Sequence, residues 1–316
     1  MRDVKIVFMG TPDFAVGVLK KLIEKGKNIV GVITSPDKPA GRGRKLRQSA
    51  VKEYALSQGL TILQPKNLKD KIFLEELKGL QANLQIVVAF RMLPKVVWDM
   101  PEYGTFNLHA SLLPQYRGAA PINWVIMNEE KKTGVTTFFI DEKIDTGAII
   151  LKKEVKINKE DTVGTLHDKL MIIGSKLVVK TVALIEANNI ETVKQDKNDD
   201  TLKEAPKLSS DNTKINWNQS SKKINCFIRG LNPYPAAWVN ILNNDTELNI
   251  KVYDCEIEKE KHNVLPGTLV ISKKELKIAS KNGWIKIKEL KVPGKRKMGI
   301  KSLLNGFSFA EDAKVL

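Results

Sequence analysis

Hydrophobic and polar positions along the chain fall into two rhythms. In residues 1–188, short unbroken apolar runs alternate with stretches of helical period. Val4–Met9 (VKIVFM) reads as a strand buried on both faces and closed by Gly10-Thr11-Pro12-Asp13. Phe14, Val18, Leu19, Leu22 and Ile23 then share one helical face. Ile29–Thr34 (IVGVIT), Leu60–Leu63 and Ile86–Ala89 (IVVA) repeat the strand pattern, and a helix is predicted over Val51–Gln58. Strands apolar on both faces and separated by helices point to a parallel sheet covered on both sides, so this part is predicted to be a Rossmann-like α/β domain. After Val135–Ile140 (VTTFFI), the loop DEKIDTG leads into Ala148–Ile157, a predicted β-hairpin with an extended tip. Asp161–Asn188 reads as a capped helix followed by a longer one carrying Leu177, Val178, Thr181, Leu184 and Ile185.

Residues 189–206 are polar, charged and weakly periodic, and are read as a linker. Beyond them come short runs of β-forming residues: Trp238–Leu242, Leu248–Tyr253, Gly267–Ile271, Leu276–Ala279 and Trp284–Leu290. Short strands divided by turns predict a small β-barrel or sandwich over residues 207–316.

Charge adds to this picture. Over 316 residues, 52 Lys and Arg face 36 Asp and Glu, for a net charge of +16. Residues 207–316 alone hold 20 basic and 11 acidic side chains, over half the surplus. That suits a polyanionic partner, because neutralising phosphates releases condensed counterions; a generally basic surface is the alternative. Two cysteines, Cys226 and Cys255, make no disulfide framework, and the three histidines share no zinc-ligand spacing with them, so no metal site is predicted. The N-terminus lacks the long apolar region of a signal peptide, and no run reaches the roughly 18 apolar residues of a membrane span, so the cytoplasm is expected.

Candidate chemistry begins at Gly10-Thr11-Pro12-Asp13. The turn sits where dinucleotide-binding proteins place G-x-G-x-x-G, but Pro12 replaces the second glycine, which disfavours NAD or FAD. The loop Ser35–Lys45 (SPDKPAGRGRK) sets Lys38, Arg42, Arg44 and Lys45 among glycines and prolines at the end of a predicted strand, and suits a phosphate-bearing substrate. The densest cluster is Asn107–Pro121 (NLHASLLPQYRGAAP). On a strand over Phe106–Ala110, Asn107 and His109 point to one side. An amide donor beside an imidazole can stabilise negative charge on a carbonyl oxygen, the requirement of acyl transfer. Leu112, Leu113 and Pro114 form an apolar wall suited to a flat heterocycle, and Asp145 of the DTG tip can orient the imidazole or accept a proton from an amine. The competing reading makes His109 a hydrogen-bonded core histidine and Asp145 a turn aspartate.

The segment NLHASLLPQYRGAAPI, followed by DEKIDTG, resembles the folate-dependent formyltransferases. The resemblance implies 10-formyltetrahydrofolate as donor, Asn107, His109 and Asp145 as catalytic residues, and a folate site bordered by Ser111, Leu112, Leu113 and Pro114. Further matches resemble the branch of that family acting on initiator methionyl-tRNA: MGTPDFAV at 9–16, the SPDKPAGRGRKL loop, KLS at 207–209, Ile215-Asn216-Trp217, RGLNPYPAAW at 229–238 and GKRKM at 294–298. They imply a catalytic domain over 1–188, a linker over 189–206, and a basic barrel similar to the oligonucleotide-binding fold over 207–316. They also imply tRNA contacts from Arg42, Arg44, Lys45, Lys295, Arg296 and Lys297. Phe90, Arg91 and Met92 fall on the folate-side loop, which is one residue shorter than in many relatives and lacks their glycine. Asn216 stands where Asp is frequent. A monomer is expected. The rival expectations are formylation of an amino sugar nucleotide, hydrolysis of the same folate, and RNA binding without catalysis.

Overall fold

The structure is a computed structural model and describes residues 1–40, 45–196 and 201–316; Arg42 and Arg44 of the basic loop lie outside the described residues. In chain order the first half runs β1 (Lys5–Gly10), α1 (Asp13–Glu24), β2 (Asn28–Ile33), β3 (Lys38–Ala40), β4 (Lys45–Arg47), α2 (Ala50–Ser57), β5 (Ile62–Leu63), α3 (Lys71–Gly79), β6 (Leu84–Val88), α4 (Lys95–Trp98) and β7 (Thr105–His109). It continues with β8 (Arg117–Gly118), α5 (Pro121–Met127), β9 (Lys132–Phe139), β10 (Ile149–Lys156) and α6 (Val163–Glu186). The described chain divides into two compact units. One holds Met1–Gly118, Thr133–Lys156 and His167–Glu204; the other holds Ala119–Lys132, Ile157–Leu166 and Ala205–Leu316.

The first unit is built on a seven-stranded sheet in the order β10-β9-β7-β6-β1-β2-β5. Pairing is parallel from β7 to β5, while β9 runs antiparallel to β7. Ile6, Val7, Phe8 and Met9 of β1 are all buried, as a central strand covered on both faces requires. Helix α1 buries Phe14, Val18, Leu19 and Leu22 of the predicted face together with Ala15, while Ile23 is half-buried. The chain leaves β1 towards β2 and returns on the other side as β6, so the strand order reverses at β1; in open α/β sheets ligands bind at the carboxyl ends of strands near such a reversal. Helix α6 is one continuous element of 24 residues and not the two helices expected. No proline interrupts it, and its glycine at 174 serves packing: a Cβ there would lie 2.9 Å from Leu108 Cδ2. Residues 191–196 lie against the same unit, with Val193 bridging Ile149 and Gln195 only 7% exposed.

The second unit follows β11 (Glu204–Ala205) with α7 (Ser221–Leu231), β12 (Ala237–Asn243), β13 (Thr246–Glu258), β14 (Leu269–Ile271), β15 (Leu276–Ser280), β16 (Gly283–Lys291), β17 (Met298–Gly299), α8 (Ile300–Leu304) and β18 (Lys314–Val315). The strands form a nearly closed, barrel-like sheet in the order β14-β15-β16-β13-β12-β18, with β17 on β16. Helix α7, capped by the Ser220 hydroxyl, buries Ile224, Ile228 and Leu231 against Ile241, Ile250, Val252, Ile278, Ile285 and Ile287. Cys226 and Cys255 are buried free thiols; burial pushes the Cys255 thiol up to about 12.

Candidate active site

Strand β7 places Asn107 and His109 two residues apart, on one face and at its carboxyl end. It is held in register by parallel β6 on one side, where Asn107 faces Val87, and by antiparallel β9 on the other, where His109 faces Thr136. Thr136 then fixes the loop that leaves the strand. Its hydroxyl donates to the Ser111 carbonyl at 2.7 Å and accepts from the Leu113 amide at 3.2 Å, while the Ser111 hydroxyl donates to the Gln115 carbonyl at 2.6 Å. The Leu113–Pro114 peptide is cis, and Tyr116 adopts a φ of 60°. This path returns the Tyr116 carbonyl to His109, whose Nε2–H donates to it at 2.8 Å. A carbonyl only accepts, so the hydrogen bond assigns that proton to Nε2.

The other ring nitrogen, Nδ1, lies 3.7 Å from Asp145 Oδ2, and both side chains are nearly buried, at 7% and 12% exposure. Asp145 arrives from the connection between β9 and β10 with a φ of 55°. Its Oδ2 accepts from the Gly118 amide at 3.0 Å, and its own carbonyl accepts from Arg117 Nε at 3.1 Å. The Oδ1 of Asn107 is buried with no hydrogen-bond partner. An orphaned buried acceptor costs about 1–3 kcal/mol, a penalty that folding alone does not explain and that functional sites tolerate.

Around this trio the predicted folate-side residues take different roles. Ser111 and Leu113 are buried, whereas Leu112, Pro114 and Phe90 are half-buried and Met92 is 69% exposed, so apolar surface is presented along the loops after β6 and β7. The Arg91 guanidinium is tied to the loop before α3. It donates to the Pro65 carbonyl and, at 2.9 Å, to the Lys66 carbonyl, and it sits 5.5 Å over the Phe90 ring; its Nε is buried without a partner, and burial pulls its pKa down. Lys152 Nζ donates to the Leu113 carbonyl.

The basic loop is anchored at its start. Asp37 lies 2.6 Å from Lys52 Nζ and accepts from Gln64 Nε2 at 2.8 Å, contacts that hold its carboxyl below the usual range. Strand β3 pairs antiparallel with β4, and Lys45 opens β4. In the second unit Lys295, Arg296 and Lys297 are exposed between β16 and β17. Lys297 is already engaged, 2.7 Å from Glu289 and 5.0 Å over the Tyr253 ring. Among the described residues no group of three or more His, Cys, Asp or Glu gathers to hold a metal ion, and no helix is long and apolar enough to cross a membrane.

Sequence reasoning missed Thr136, Tyr116, Arg117 and Gln195 as parts of this site. Tyr116 and Arg117 lie inside the Asn107–Pro121 cluster without a role assigned to them there, Thr136 stands as a polar residue inside the apolar run VTTFFI, and Gln195 left no trace.

Residues 4–182 match the family model described as formyl transferase, and residues 207–308 match the formyl transferase C-terminal domain. The chain is 58% identical over 315 residues to a methionyl-tRNA formyltransferase of Flavobacterium johnsoniae, covering 100% of both chains. It is 51% identical to that of Parabacteroides distasonis, covering 96% of each. Among solved structures it resembles an N-formyltransferase from Helicobacter canadensis in complex with folinic acid and dTDP-3-aminofucose, with a TM-score of 0.64 at 22% identity over 90% of this chain and 98% of that one. It also resembles HypX from Aquifex aeolicus in complex with tetrahydrofolic acid, with a TM-score of 0.65 at 16% identity over 96% of this chain and 47% of that one.

Proposed function

The chain belongs to the formyl transferase family, and from that premise we propose how its residues formylate the amino group of methionyl-tRNA. It is an enzyme of translation initiation, and its product is N-formylmethionyl-tRNA. The observation that carries this reading is full-length identity with methionyl-tRNA formyltransferases; the sugar N-formyltransferases share the fold at far lower identity.

We assign 10-formyltetrahydrofolate as the donor, which supplies a formyl group on a nitrogen able to leave as an amine. The chain's residues fit such a molecule. Phe90, Met92, Leu112 and Pro114 offer apolar surface to a flat ring, and Asn107 and His109 supply polar atoms at the strand end beside them. As the neutral methionyl amine adds to the formyl carbon, negative charge develops on the formyl oxygen. Asn107 donates to that oxygen through its amide, and His109 donates through Nδ1–H, because Nε2–H is committed to Tyr116. Asp145 balances the imidazolium and takes the proton of the attacking amine; a proton from His109 passes to the departing nitrogen, so none is consumed overall. Arg42, Arg44, Lys45, Lys295 and Arg296 are assigned to tRNA phosphates, and Lys297 contributes less because Glu289 already neutralises it. Catalysis from a cytoplasmic monomer is part of the proposal, since one chain carries Asn107, His109 and Asp145 together.

The test incubates the purified protein and 10-formyltetrahydrofolate with methionyl-tRNA, an amino sugar nucleotide or water, and identifies the formylated product by mass spectrometry. Formylmethionyl-tRNA is expected. Formyl-sugar, or formate released without acceptor, overturns the assignment.

A further inference from the structure

Asp145 holds a left-handed backbone conformation that residues other than glycine adopt at a cost, so something must fix it. The residues that do so come from the polar segment after α6. Gln195 Nε2 donates to two carbonyls of the DTG tip, Asp145 O at 2.9 Å and Gly147 O at 2.8 Å. Its Oε1 accepts from Arg117 Nη2 at 2.7 Å and Nε at 3.2 Å, and Arg117 Nε reaches the same Asp145 carbonyl. Backbone pairing of Val193 with Ile149, at 2.8 and 2.9 Å, lays the segment along the start of β10 and delivers Gln195 to the tip. Gly147 is closed in on the other side, since a Cβ there would overlap the Phe139 carbonyl.

We propose that Gln195 is a positioning residue for the formyl transfer: its amide locks the Asp145–Gly147 tip and thereby sets the carboxylate that faces His109. The inference rests on the catalytic assignment of Asp145. Chemistry selects glutamine here. An amide presents two N–H donors to two carbonyls and an acceptor to a guanidinium from one rigid plane. Glutamate has the same shape, but it would turn an acceptor towards two carbonyl oxygens and add negative charge beside Asp145. Methionine has similar bulk and supplies neither bond.

The experiment compares wild type, Gln195→Met and Gln195→Glu in steady-state formylation of methionyl-tRNA, with KM for each substrate, the pH profile of kcat/KM, and circular dichroism of each protein. Gln195→Met should remain folded and lose kcat by roughly tenfold to a hundredfold, the effect of a small misplacement of a reacting group, with KM values changed less than about threefold. Gln195→Glu should move the acid limb of the profile to higher pH, because a neighbouring negative charge disfavours ionised Asp145. A folded Gln195→Met at wild-type kcat overturns the proposal, as does an acid limb unmoved in Gln195→Glu. Loss of native circular dichroism in both variants assigns Gln195 to the fold and also overturns it. A wild-type protein that fails to formylate methionyl-tRNA is a different failure, that of the underlying catalytic reading.

Discussion

Asp145 Oδ2 lies 3.7 Å from Nδ1 of His109, the ring nitrogen left over once Nε2–H has donated to the Tyr116 carbonyl. The proton on Nε2 is thereby fixed, and any proton that His109 itself gives or takes during the reaction moves at Nδ1. If the two side chains act as one unit, their losses do not add. His109→Ala and Asp145→Ala should each lower kcat by at least about a hundredfold, and the double variant should be little worse than the poorer single one. Single-turnover rates of the three proteins test this, and strictly multiplicative losses would show the two residues acting independently.

Asn107 offers a cleaner measure of charge stabilisation, because its amide takes no part in proton movement. Removing one donor to a developing oxyanion costs about 3 kcal/mol, so Asn107→Ala should reduce kcat by roughly a hundredfold or more with little change in KM. The same variant removes a buried acceptor that has no partner, so its thermal midpoint should stay at or above that of the wild type. A folded Asn107→Ala at full turnover would remove the residue from the mechanism.

The exposed cations of the second unit differ in what they already neutralise. Arg296→Ala should weaken methionyl-tRNA binding and make the dependence of log Kd on log salt shallower by about one for each phosphate that Arg296 neutralises. Lys297→Ala should have the smaller effect, because Glu289 at 2.7 Å already satisfies that ammonium. Titrations at several salt concentrations decide it, and equal weakening by the two variants would contradict the ranking.

Burial of Cys255 makes a prediction about alkaline stability. Its thiol is raised from the ordinary 9.0 to about 12 by desolvation, against which the hydrogen bond from Asn225 acts. The folded state thus keeps a proton that the unfolded chain has lost. The resulting stability is complete below pH 9 and declines as pH rises towards 12. The urea midpoint of the wild type should fall over that window, and that of Cys255→Val should fall less. Consistent with this, a thiol reagent at pH 8 should leave Cys255 unlabelled until denaturant is added.

Much of the architecture is written locally in the chain. The runs VKIVFM, IVGVIT and IVVA announce strands covered on both faces because burial on two sides leaves few polar positions, and they overlap β1, β2 and β6 closely. The alternation at Trp238–Leu242 and Trp284–Leu290 announces the barrel strands for the complementary reason, one face buried and one wet. The Asn107–His109 pair was equally legible, since a two-residue spacing on a strand is enough to bring both side chains to one face. Helix α6 was not, because breaks inferred from composition carry no information about Leu108 packing against the glycine at 174.

What the sequence determined by itself is therefore the principal strands of both halves, the first two helices, the family, and the residue types available for chemistry, all of which follow from short-range periodicity and motif. What only the tertiary structure decided is who meets whom across long separations: Asp145 with His109, the Nε2 proton with Tyr116, Arg91 with the carbonyls of Pro65 and Lys66, and Gln195 with the tip that carries Asp145. Hydrogen bonds of this kind depend on ångström distances between loops whose approach is set by the packing of the whole sheet, and a polar segment such as residues 189–196 shows nothing of that approach in its own pattern.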